Sequence, residues 1–249
     1  MTGESSLDGT SPGAGSPGAG SPGAGSPGAG SPGAADVGRW RLLVAFVVRA
    51  IVCTFSHGFW RVRIEGRENL PSKGPFILAP VHRSNIDTPL MACITRRRVR
   101  FMGKDSLWKY PWSAWFFTTM GGFPVNRDGV DRDALRRCEA ALRQGFPVVI
   151  FPEGTRRSGP KVGELFDGAA FVAVRTGAPI VPVGIGGSSR AMPVGAKALH
   201  PVKIRIMIGT PVHPPPRADG GLRGSRRHVR ELTAQLQNEL QHLFDQTGH

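Results

Sequence analysis

The chain has 249 residues and a formal net charge of +14, and its length suits one large domain. Such a positive charge favours polyanionic partners, either nucleic acid or anionic lipid. The three cysteines, Cys53, Cys93 and Cys138, are odd in number and widely spaced, which excludes a disulfide framework and a zinc pattern and predicts core thiols in a reducing compartment.

The first 38 residues form a low-complexity segment. Five consecutive five-residue units run from Ser11 to Ala35, four of them Ser-Pro-Gly-Ala-Gly and the last Ser-Pro-Gly-Ala-Ala. Their period excludes collagen, and they hold too little apolar surface to offset the entropy of ordering, so residues 1–38 are predicted to be a flexible tail. All 32 Lys and Arg residues lie beyond the tail, with 15 of the 18 Asp and Glu residues, so the remainder carries +17.

An apolar segment, residues 39–60, follows the tail and has Arg49 near its middle. A membrane-spanning helix needs about 20 largely apolar residues, and a central arginine costs roughly 2.5 to 3.5 kcal/mol on insertion scales. Trp40 and Trp60 near its ends are typical of contact with lipid headgroups. We predict a membrane-associating helix that lies in one leaflet, with a single span or a buried core helix as alternatives. The late start of the apolar stretch and the lack of a small-residue cleavage site argue against a signal peptide.

Strand-like and helical segments alternate through the rest of the chain. The predicted strands are residues 62–64, 75–80, 99–102, 123–125, 147–151, 179–185 and 202–208, and the helices between them are residues 87–95, 105–119, 131–143 and 167–176. This order predicts an α/β domain over residues 61–214, with a mostly parallel or mixed sheet of about seven strands flanked by helices. Residues 215–249 are predicted to be a linker and an amphipathic helix, residues 225–244.

The segment His82-Arg83-Ser84-Asn85-Ile86-Asp87 follows a predicted buried strand, where loops commonly carry catalytic groups. Residues five apart on an ideal helix point about 140° away from each other, so His82 must precede the helix and fold back over its first turn to meet Asp87. Asp87 then orients the imidazole, while the other ring nitrogen takes a proton from a substrate hydroxyl. Ser84 is more typical of a turn or a helix cap than of a nucleophile, which favours direct transfer to the substrate hydroxyl without a covalent intermediate on the enzyme.

A second motif, Phe151-Pro152-Glu153-Gly154-Thr155-Arg156, follows another predicted strand. Glu153 is predicted to bind substrate hydroxyls or to hold Arg156 and Arg127 in place, and Gly154 permits a tight turn. Negative charge that develops on a substrate oxygen during a reaction needs hydrogen-bond donors. The candidates are backbone amides near Gly121-Gly122 or Gly154-Thr155. A metal cluster built from Glu153 with the histidine and aspartate of the first motif is the less favoured alternative.

Together the two motifs resemble blocks of the glycerolipid acyltransferase superfamily, the PlsC-type lysophosphatidic acid acyltransferases. The segment from Gly121 to Arg127 resembles the second block and Val181-Pro182-Val183 the fourth, so four blocks stand in order over roughly residues 60–212. The resemblance implies transfer of a fatty acyl group from acyl-CoA or acyl carrier protein to the free hydroxyl of 1-acyl-glycerol-3-phosphate, which gives phosphatidic acid. It implies no cofactor and no metal.

The resemblance also implies roles for side chains around the substrates. Arg127 matches the arginine that the family uses to bind the acceptor phosphate, and Lys104 and Arg156 are predicted partners around that phosphate. Glu153, Gly154 and Thr155 complete the predicted acceptor site. Candidate walls of a groove for the acyl chain are Trp108, Trp112, Trp115, Phe116, Phe117 and Met120.

The apolar segment and the basic charge place the predicted enzyme at the cytoplasmic face of the cell membrane, as a peripheral or monotopic protein on anionic lipid and without nucleic acid. Val81 and Asp167 depart from the common family pattern, which keeps glycerol 3-phosphate or another lysolipid open as the acceptor. The alternative from another class is a non-catalytic basic module that binds membranes. The absence of Gly-x-Gly-x-x-Gly, P-loop and Gly-x-Ser-x-Gly patterns argues against a dinucleotide enzyme, an NTPase and a serine hydrolase.

Overall fold

The computed structural model describes residues 38–125, 132–216 and 222–248, so the predicted tail lies outside the described residues except for Gly38. The helices are α1 (Arg39–Phe59), α2 (Asp87–Ile94), α3 (Pro111–Thr119), α4 (Arg132–Arg143), α5 (Gly168–Thr176), α6 (Ser188–Ala191) and α7 (Leu222–Gln246). The strands are β1 (Arg63–Glu65), β2 (Ile77–Pro80), β3 (Arg100–Lys104), β4 (Gly122–Val125), β5 (Val148–Val149), β6 (Ile180–Gly186) and β7 (Arg205–Ile208).

The strands form one seven-stranded sheet in the order β1-β7-β6-β2-β5-β3-β4. All neighbouring pairs are parallel except β6 and β7, which are antiparallel. The central strands β2 and β6 are buried along their whole length, as their unbroken apolar sequences require of strands covered on both faces. The predicted α/β fold with a mostly parallel or mixed sheet of about seven strands is confirmed.

Two layers of helices cover the sheet. Two connections run in one direction across the strand order, from β2 through α2 to β3 and from β3 through α3 to β4. The next two run in the opposite direction, from β4 through α4 to β5 and from β5 through α5 to β6. Because such crossovers are right-handed, α2 and α3 lie on one face and α4 and α5 on the other. Helix α1 packs on α2 and α3, and α7 packs on α5 and β6.

The leucine spacing of α7 reflects burial against this domain. Leu232, Leu236, Leu240 and Leu243 are all buried, and they supply the inner face of the helix. The predicted helix 105–119 is in contrast divided into a 3-10 turn at Asp105–Trp108 and α3. Tyr110 is extended between them because a residue that precedes proline disfavours the helical region.

Helix α1 is attached to the domain by its central arginine. The Arg49 guanidinium donates hydrogen bonds to the carbonyl oxygens of Ala92 at 2.8 Å and Thr95 at 2.7 Å, which are at the C-terminal end of α2 and lack helical partners. Ser56 is the one buried residue of this 21-residue helix, so the alternative of a buried core helix is wrong. Trp60 is buried rather than at a lipid interface, and its indole nitrogen donates to the His200 carbonyl oxygen at 3.1 Å.

The cysteines lie in apolar surroundings as predicted, with Cys93 and Cys138 buried and Cys53 half-buried. Burial, together with the neighbouring Cys53 side chain, raises the pKa of the Cys93 thiol to about 12. A thiol with such a pKa stays protonated at neutral pH and behaves as a small core group.

Candidate active site

The two predicted motifs meet at one edge of the sheet. Strands β2 and β5 are parallel neighbours, so their carboxyl ends lie side by side, and the chain continues from them into His82 and Glu153. This edge is where open α/β sheets place their ligands. His82, Asp87 and Glu153 are all buried within it.

His82 and Asp87 form the predicted pair. The Nδ1 atom of His82 lies 3.1 Å from Oδ2 of Asp87, and His82 precedes α2, whose first residue is Asp87. The histidine therefore folds back over the first turn of the helix, as the five-residue spacing requires. With Nδ1–H donating to the carboxylate, the neutral ring has its Nε2 lone pair available to accept a proton.

The Asp87 carboxylate is held by the turn that precedes it. Its Oδ2 atom also accepts hydrogen bonds from the backbone amides of Arg83 at 2.7 Å and Ser84 at 2.6 Å, and the residue is fully buried. Its position in the first turn of α2 adds the favourable field of the helix dipole. These donors hold Oδ2 of Asp87 in place beside the imidazole of His82.

Arg83 and Glu153 form a buried ion pair behind the histidine. The Nη1 atom of Arg83 lies 2.9 Å from both carboxylate oxygens and donates to the His82 carbonyl oxygen at 3.0 Å. Glu153 also accepts the amide of His82 at 2.8 Å and that of Gly163 at 2.8 Å. The carboxylate thus holds the backbone of the histidine, in place of the contact with Arg156 that the sequence suggested.

The guanidinium of Arg83 reaches further elements. Its Nη2 atom donates to the Lys161 carbonyl oxygen at 3.1 Å, and its central carbon lies 4.7 Å from the centre of the Phe244 ring in α7. A single side chain that is 2% exposed therefore joins the histidine turn, the second motif and the C-terminal helix. Removal of either partner of such a pair leaves a buried charge unpaired.

The second motif forms a tight turn beside the imidazole. The ring of Phe151 stacks on His82 with centroids 4.0 Å apart, and Gly154 has a φ of +65°, which favours glycine. The amides of Gly154, Thr155 and Gly121 donate to chain carbonyl oxygens at 3.1, 2.7 and 3.0 Å. These three amides are therefore occupied, and the prediction that they stabilise an oxyanion does not fit this geometry.

Two of the predicted phosphate-binding residues, Lys104 and Arg156, lie at the end of β3 and after β5, the strands on one side of β2 in the sheet order. Lys104 ends β3 and is exposed, Thr155 is exposed and Arg156 is half-buried. Neither cation makes a hydrogen bond or an ion pair with any other residue that the structure describes. Arg127 lies outside the described residues, so its predicted contact with phosphate stays a prediction.

Two further residues from the sequence analysis have structural partners. The Ser84 hydroxyl donates to the Met192 carbonyl oxygen at 2.7 Å, which fits a turn-forming residue. Asp167 accepts a hydrogen bond from the Thr233 hydroxyl at 2.7 Å and so joins the start of α5 to α7. Within residues 38–125, 132–216 and 222–248, no group of three His, Cys, Asp or Glu side chains could hold a metal ion.

An apolar cavity of about 290 Å³ lies between α1, α2, α3 and the sheet. Its wall includes Ala45, Val48, Val52, Met91, Phe116 and Met120. Thr88 and Val149 also line it, so the cavity begins beside Asp87 and the strand that leads to the second motif. Phe116, Phe117 and Met120 were predicted as walls, whereas Trp112 is 71% exposed and Trp115 stacks on Trp40 with centroids 6.0 Å apart.

No role in the site was predicted for Arg83 or Phe151, although both belong to the two motifs. Arg83 was one of many arginines in a basic chain, and a charged side chain is ordinarily expected on the surface. One available signal was its position next to His82, shortly after a buried strand. A side chain there cannot reach solvent easily and needs a buried partner, which Glu153 supplies.

The chain is similar to known proteins in sequence and in structure. A model of the acyltransferase family matches residues 61–186. The chain is 31% identical over 172 residues to the chloroplastic 1-acyl-sn-glycerol-3-phosphate acyltransferase LPAT1 of Arabidopsis thaliana, an alignment that covers 68% of this chain and 48% of the plant protein. It therefore spans about half the length of that relative. The 1-acyl-sn-glycerol-3-phosphate acyltransferase of Bacillus subtilis is 28% identical over 73% of this chain and 87% of its own length.

A solved structure has the same fold. The 1-acyl-sn-glycerophosphate (LPA) acyltransferase PlsC from Thermotoga maritima superposes with a TM-score of 0.59 and 28% sequence identity, over 81% of this chain and 87% of the other. The chain therefore belongs to the acyltransferase family.

Proposed function

We propose that the protein transfers a fatty acyl group from acyl-CoA or acyl carrier protein to the free hydroxyl of 1-acyl-glycerol-3-phosphate at a membrane surface, producing phosphatidic acid. The observation that carries this proposal is the buried His82–Asp87 pair at the carboxyl edge of the sheet, with the exposed Lys104 at the end of β3 and the half-buried Arg156 after β5. The activities named for the relatives from Arabidopsis, Bacillus and Thermotoga support the choice of acceptor.

In the proposed reaction, Nε2 of His82 takes the proton of the acceptor hydroxyl as its oxygen attacks the thioester carbonyl carbon. The resulting imidazolium is stabilised by the Asp87 carboxylate. The tetrahedral intermediate then expels the carrier thiolate, which receives the same proton from His82, and the new ester leaves. No side-chain nucleophile is required, and the engagement of the Ser84 hydroxyl with the Met192 carbonyl supports direct transfer.

Glu153 acts in this scheme as a positioning residue. It is fully buried, and its hydrogen bonds from the His82 amide and Arg83 fix the backbone of the general base. A general base accelerates the reaction only when its reacting nitrogen is held within hydrogen-bonding distance of the substrate proton. The Arg83–Glu153 pair supplies that constraint before substrate binds.

The acceptor phosphate is proposed to bind at Lys104, Arg127 and Arg156, beside Gly154 and Thr155. Lys104 and Arg156 lack partners among the described residues, and a phosphate dianion provides the charge-assisted hydrogen bonds that such cations form. Their place on the β3 side of the histidine leaves the acceptor's hydroxyl free to point towards the imidazole.

The apolar cavity between α1, α2 and α3 is proposed to hold an acyl chain. Its wall is largely apolar and begins at Thr88, beside the catalytic aspartate, so a chain attached to a carbonyl near His82 could enter it. The contribution of α1 to this wall connects the membrane-associating helix with the substrate site.

Helix α1 is proposed to lie in one leaflet, at the cytoplasmic face, rather than to span the bilayer. It is long and apolar enough to cross a membrane, but Arg49 fastens its middle to α2 and Trp40 stacks on Trp115 of α3. A spanning helix would draw these elements and the catalytic sheet into the bilayer. Its outer face exposes Leu43, Phe46 and Ile51 at 59%, 65% and 63%, which suits insertion among lipid chains.

The membrane proposal is tested with anionic lipid vesicles and the double substitution Leu43→Gln with Phe46→Gln. Burial of one large apolar side chain is worth about 1.5–3 kcal/mol, so vesicle binding is expected to fall at least about tenfold. Val194→Gln is the matched control because Val194 is 58% exposed and lies far along the chain from α1. Equal binding of the double variant and the control would contradict a role for α1.

The chemistry is tested with detergent-purified full-length protein, lysophosphatidic acid and palmitoyl-CoA. Free thiol and lipid product are followed for the wild type, for His82→Ala and for His242→Ala, which replaces an exposed histidine of α7. Thiol release with phosphatidic acid in the wild type and in His242→Ala, but not in His82→Ala, is expected. Product only with glycerol 3-phosphate or another lysolipid would move the proposal to that acceptor, and no product with any acceptor and either donor would contradict it.

A further inference from the structure

A second cavity, of about 280 Å³, lies beside the catalytic turn. Its wall includes Arg83, Pro160, Gly187, Ser189, Arg190 and Phe244, and we call it the basic pocket. Two contacts connect the basic pocket with the candidate active site. Arg83 is the residue after the catalytic histidine, and the Ser84 hydroxyl binds the carbonyl oxygen of Met192, two residues after Arg190.

The charge of the basic pocket is positive. Arg83 lines the pocket and is neutralised by its ion pair with Glu153. Arg190 is exposed, and its guanidinium makes no hydrogen bond or ion pair within the part of the chain that the structure describes. The residues that line the pocket, all of them described, include no acidic side chain. A guanidinium without a protein side-chain partner, at a cavity that no acidic side chain lines, is suited to a phosphate group.

The basic pocket is on the opposite side of His82 from the proposed acceptor phosphate site. In the sheet order, β6 neighbours β2 on one side, whereas β5 and then β3, which carries Lys104, follow on the other. Gly187 and Arg190 follow the carboxyl end of β6. The acceptor phosphate at Lys104 therefore leaves the basic pocket free for the other substrate.

The basic pocket also faces away from the proposed membrane surface. Phe244, part of its wall, belongs to α7, which packs with α5 on one face of the sheet, whereas α1 packs with α2 and α3 on the other. A lipid headgroup would reach the protein from the α1 side. A ligand that enters beside α7 comes from water.

We infer that the basic pocket binds a phosphate group of the soluble carrier that delivers the acyl chain, with Arg190 as its contact. This inference rests on the proposed function and deepens it by assigning the donor site. Coenzyme A and acyl carrier protein share this chemistry, because both present the thiol on a pantetheine arm that ends in a phosphate. The thioester then approaches His82 from the β6 side and the acceptor hydroxyl from the β3 side.

The test is calorimetric titration of full-length protein in detergent with coenzyme A, 4′-phosphopantetheine and pantetheine. Wild type, Arg190→Gln and Arg230→Gln are compared, since Arg230 is an exposed arginine of α7 outside the pocket. Loss of one charge-assisted contact is expected to weaken coenzyme A binding to Arg190→Gln about tenfold and to leave Arg230→Gln unchanged. Pantetheine, which has no phosphate, should bind all three proteins equally.

The probes separate the possible carriers. Weaker binding of both phosphorylated probes assigns the pocket to the pantetheine phosphate common to both carriers, whereas weaker binding of coenzyme A alone assigns it to the nucleotide phosphates. Equal affinity of wild type and Arg190→Gln for both probes, or no binding of coenzyme A by wild type, would overturn the inference. Binding needs no turnover, so these results are independent of the acyltransferase assay, whose failure would instead contradict the proposed function.

Discussion

The two halves of the candidate active site are built in opposite ways. In the first half, His82, Arg83, Asp87 and Glu153 are buried, and they hold one another through hydrogen bonds of 2.7 to 3.1 Å. In the second half, the cations of Lys104 and Arg156 have no partner among the described residues. In the proposed mechanism, the chain therefore fixes its proton-transfer groups before substrate arrives and leaves its charged contacts for the substrate to complete.

Replacement of the general base is expected to have the largest effect on activity. His82→Ala removes the only proton acceptor proposed for the hydroxyl, so kcat should fall by up to about 10⁴-fold. KM for both substrates should change little because the imidazole contributes to transition-state stabilisation rather than to binding. Steady-state kinetics with lysophosphatidic acid and palmitoyl-CoA measure both constants, and a kcat within about tenfold of wild type would remove His82 from the mechanism.

The buried ion pair of the first half should determine stability as well as rate. Arg83→Met leaves the Glu153 carboxylate buried without its cation, which is expected to lower the free energy of unfolding by about 3–5 kcal/mol. Arg157→Met provides the control because Arg157 is exposed and only its backbone amide contacts the histidine turn. Denaturant titration compares the two variants, and equal stabilities would show that the Arg83–Glu153 pair is not structurally required.

The carboxylate that orients the base should affect kcat without a matching loss of stability. Asp87→Asn keeps an oxygen for the amides of Arg83 and Ser84 but removes the charge that stabilises a protonated imidazole. We expect kcat to fall about 100-fold, with the overall fold retained. Kinetics and circular dichroism on the same preparation separate the two effects, and an unchanged kcat would mean that the His82–Asp87 contact serves the fold alone.

The smallest expected effect belongs to the exposed half. Lys104→Gln should raise KM for lysophosphatidic acid about tenfold through the loss of one charge-assisted contact, with little change in kcat or stability. Lys73→Gln is the control, since Lys73 is an exposed lysine in the loop before β2, at the amino edge of the sheet. Identical KM values for the two variants would place the acceptor phosphate elsewhere.

The sequence was sufficient to predict those parts of the molecule that depend on local pattern. Alternating apolar strands and amphipathic helices predicted the seven-stranded sheet, and the spacing of His82 and Asp87 predicted that the histidine folds back over the start of α2. Both depend on periodicity and on the geometry of one turn, which a short segment already contains.

Long-range partners could not be predicted in the same way. Glu153 pairs with Arg83, 70 residues earlier, and Arg49 bonds to carbonyl oxygens 43 and 46 residues later. In a chain with 32 lysines and arginines, charge alone does not select which cation is buried. The choice depends on which side chain the sheet order brings beside a carboxylate or beside the unpaired end of a helix.

The measurement that tests the central claim most directly is phosphatidic acid formation by wild type, His82→Ala and Lys104→Gln, as lysophosphatidic acid is raised to saturation at a fixed concentration of palmitoyl-CoA. The account predicts that Lys104→Gln approaches the wild-type rate at saturation, whereas His82→Ala stays at background at every concentration. Recovery of His82→Ala at high acceptor, or a Lys104→Gln rate that stays low with an unchanged KM, would contradict the division of the site into a buried catalytic half and an exposed binding half.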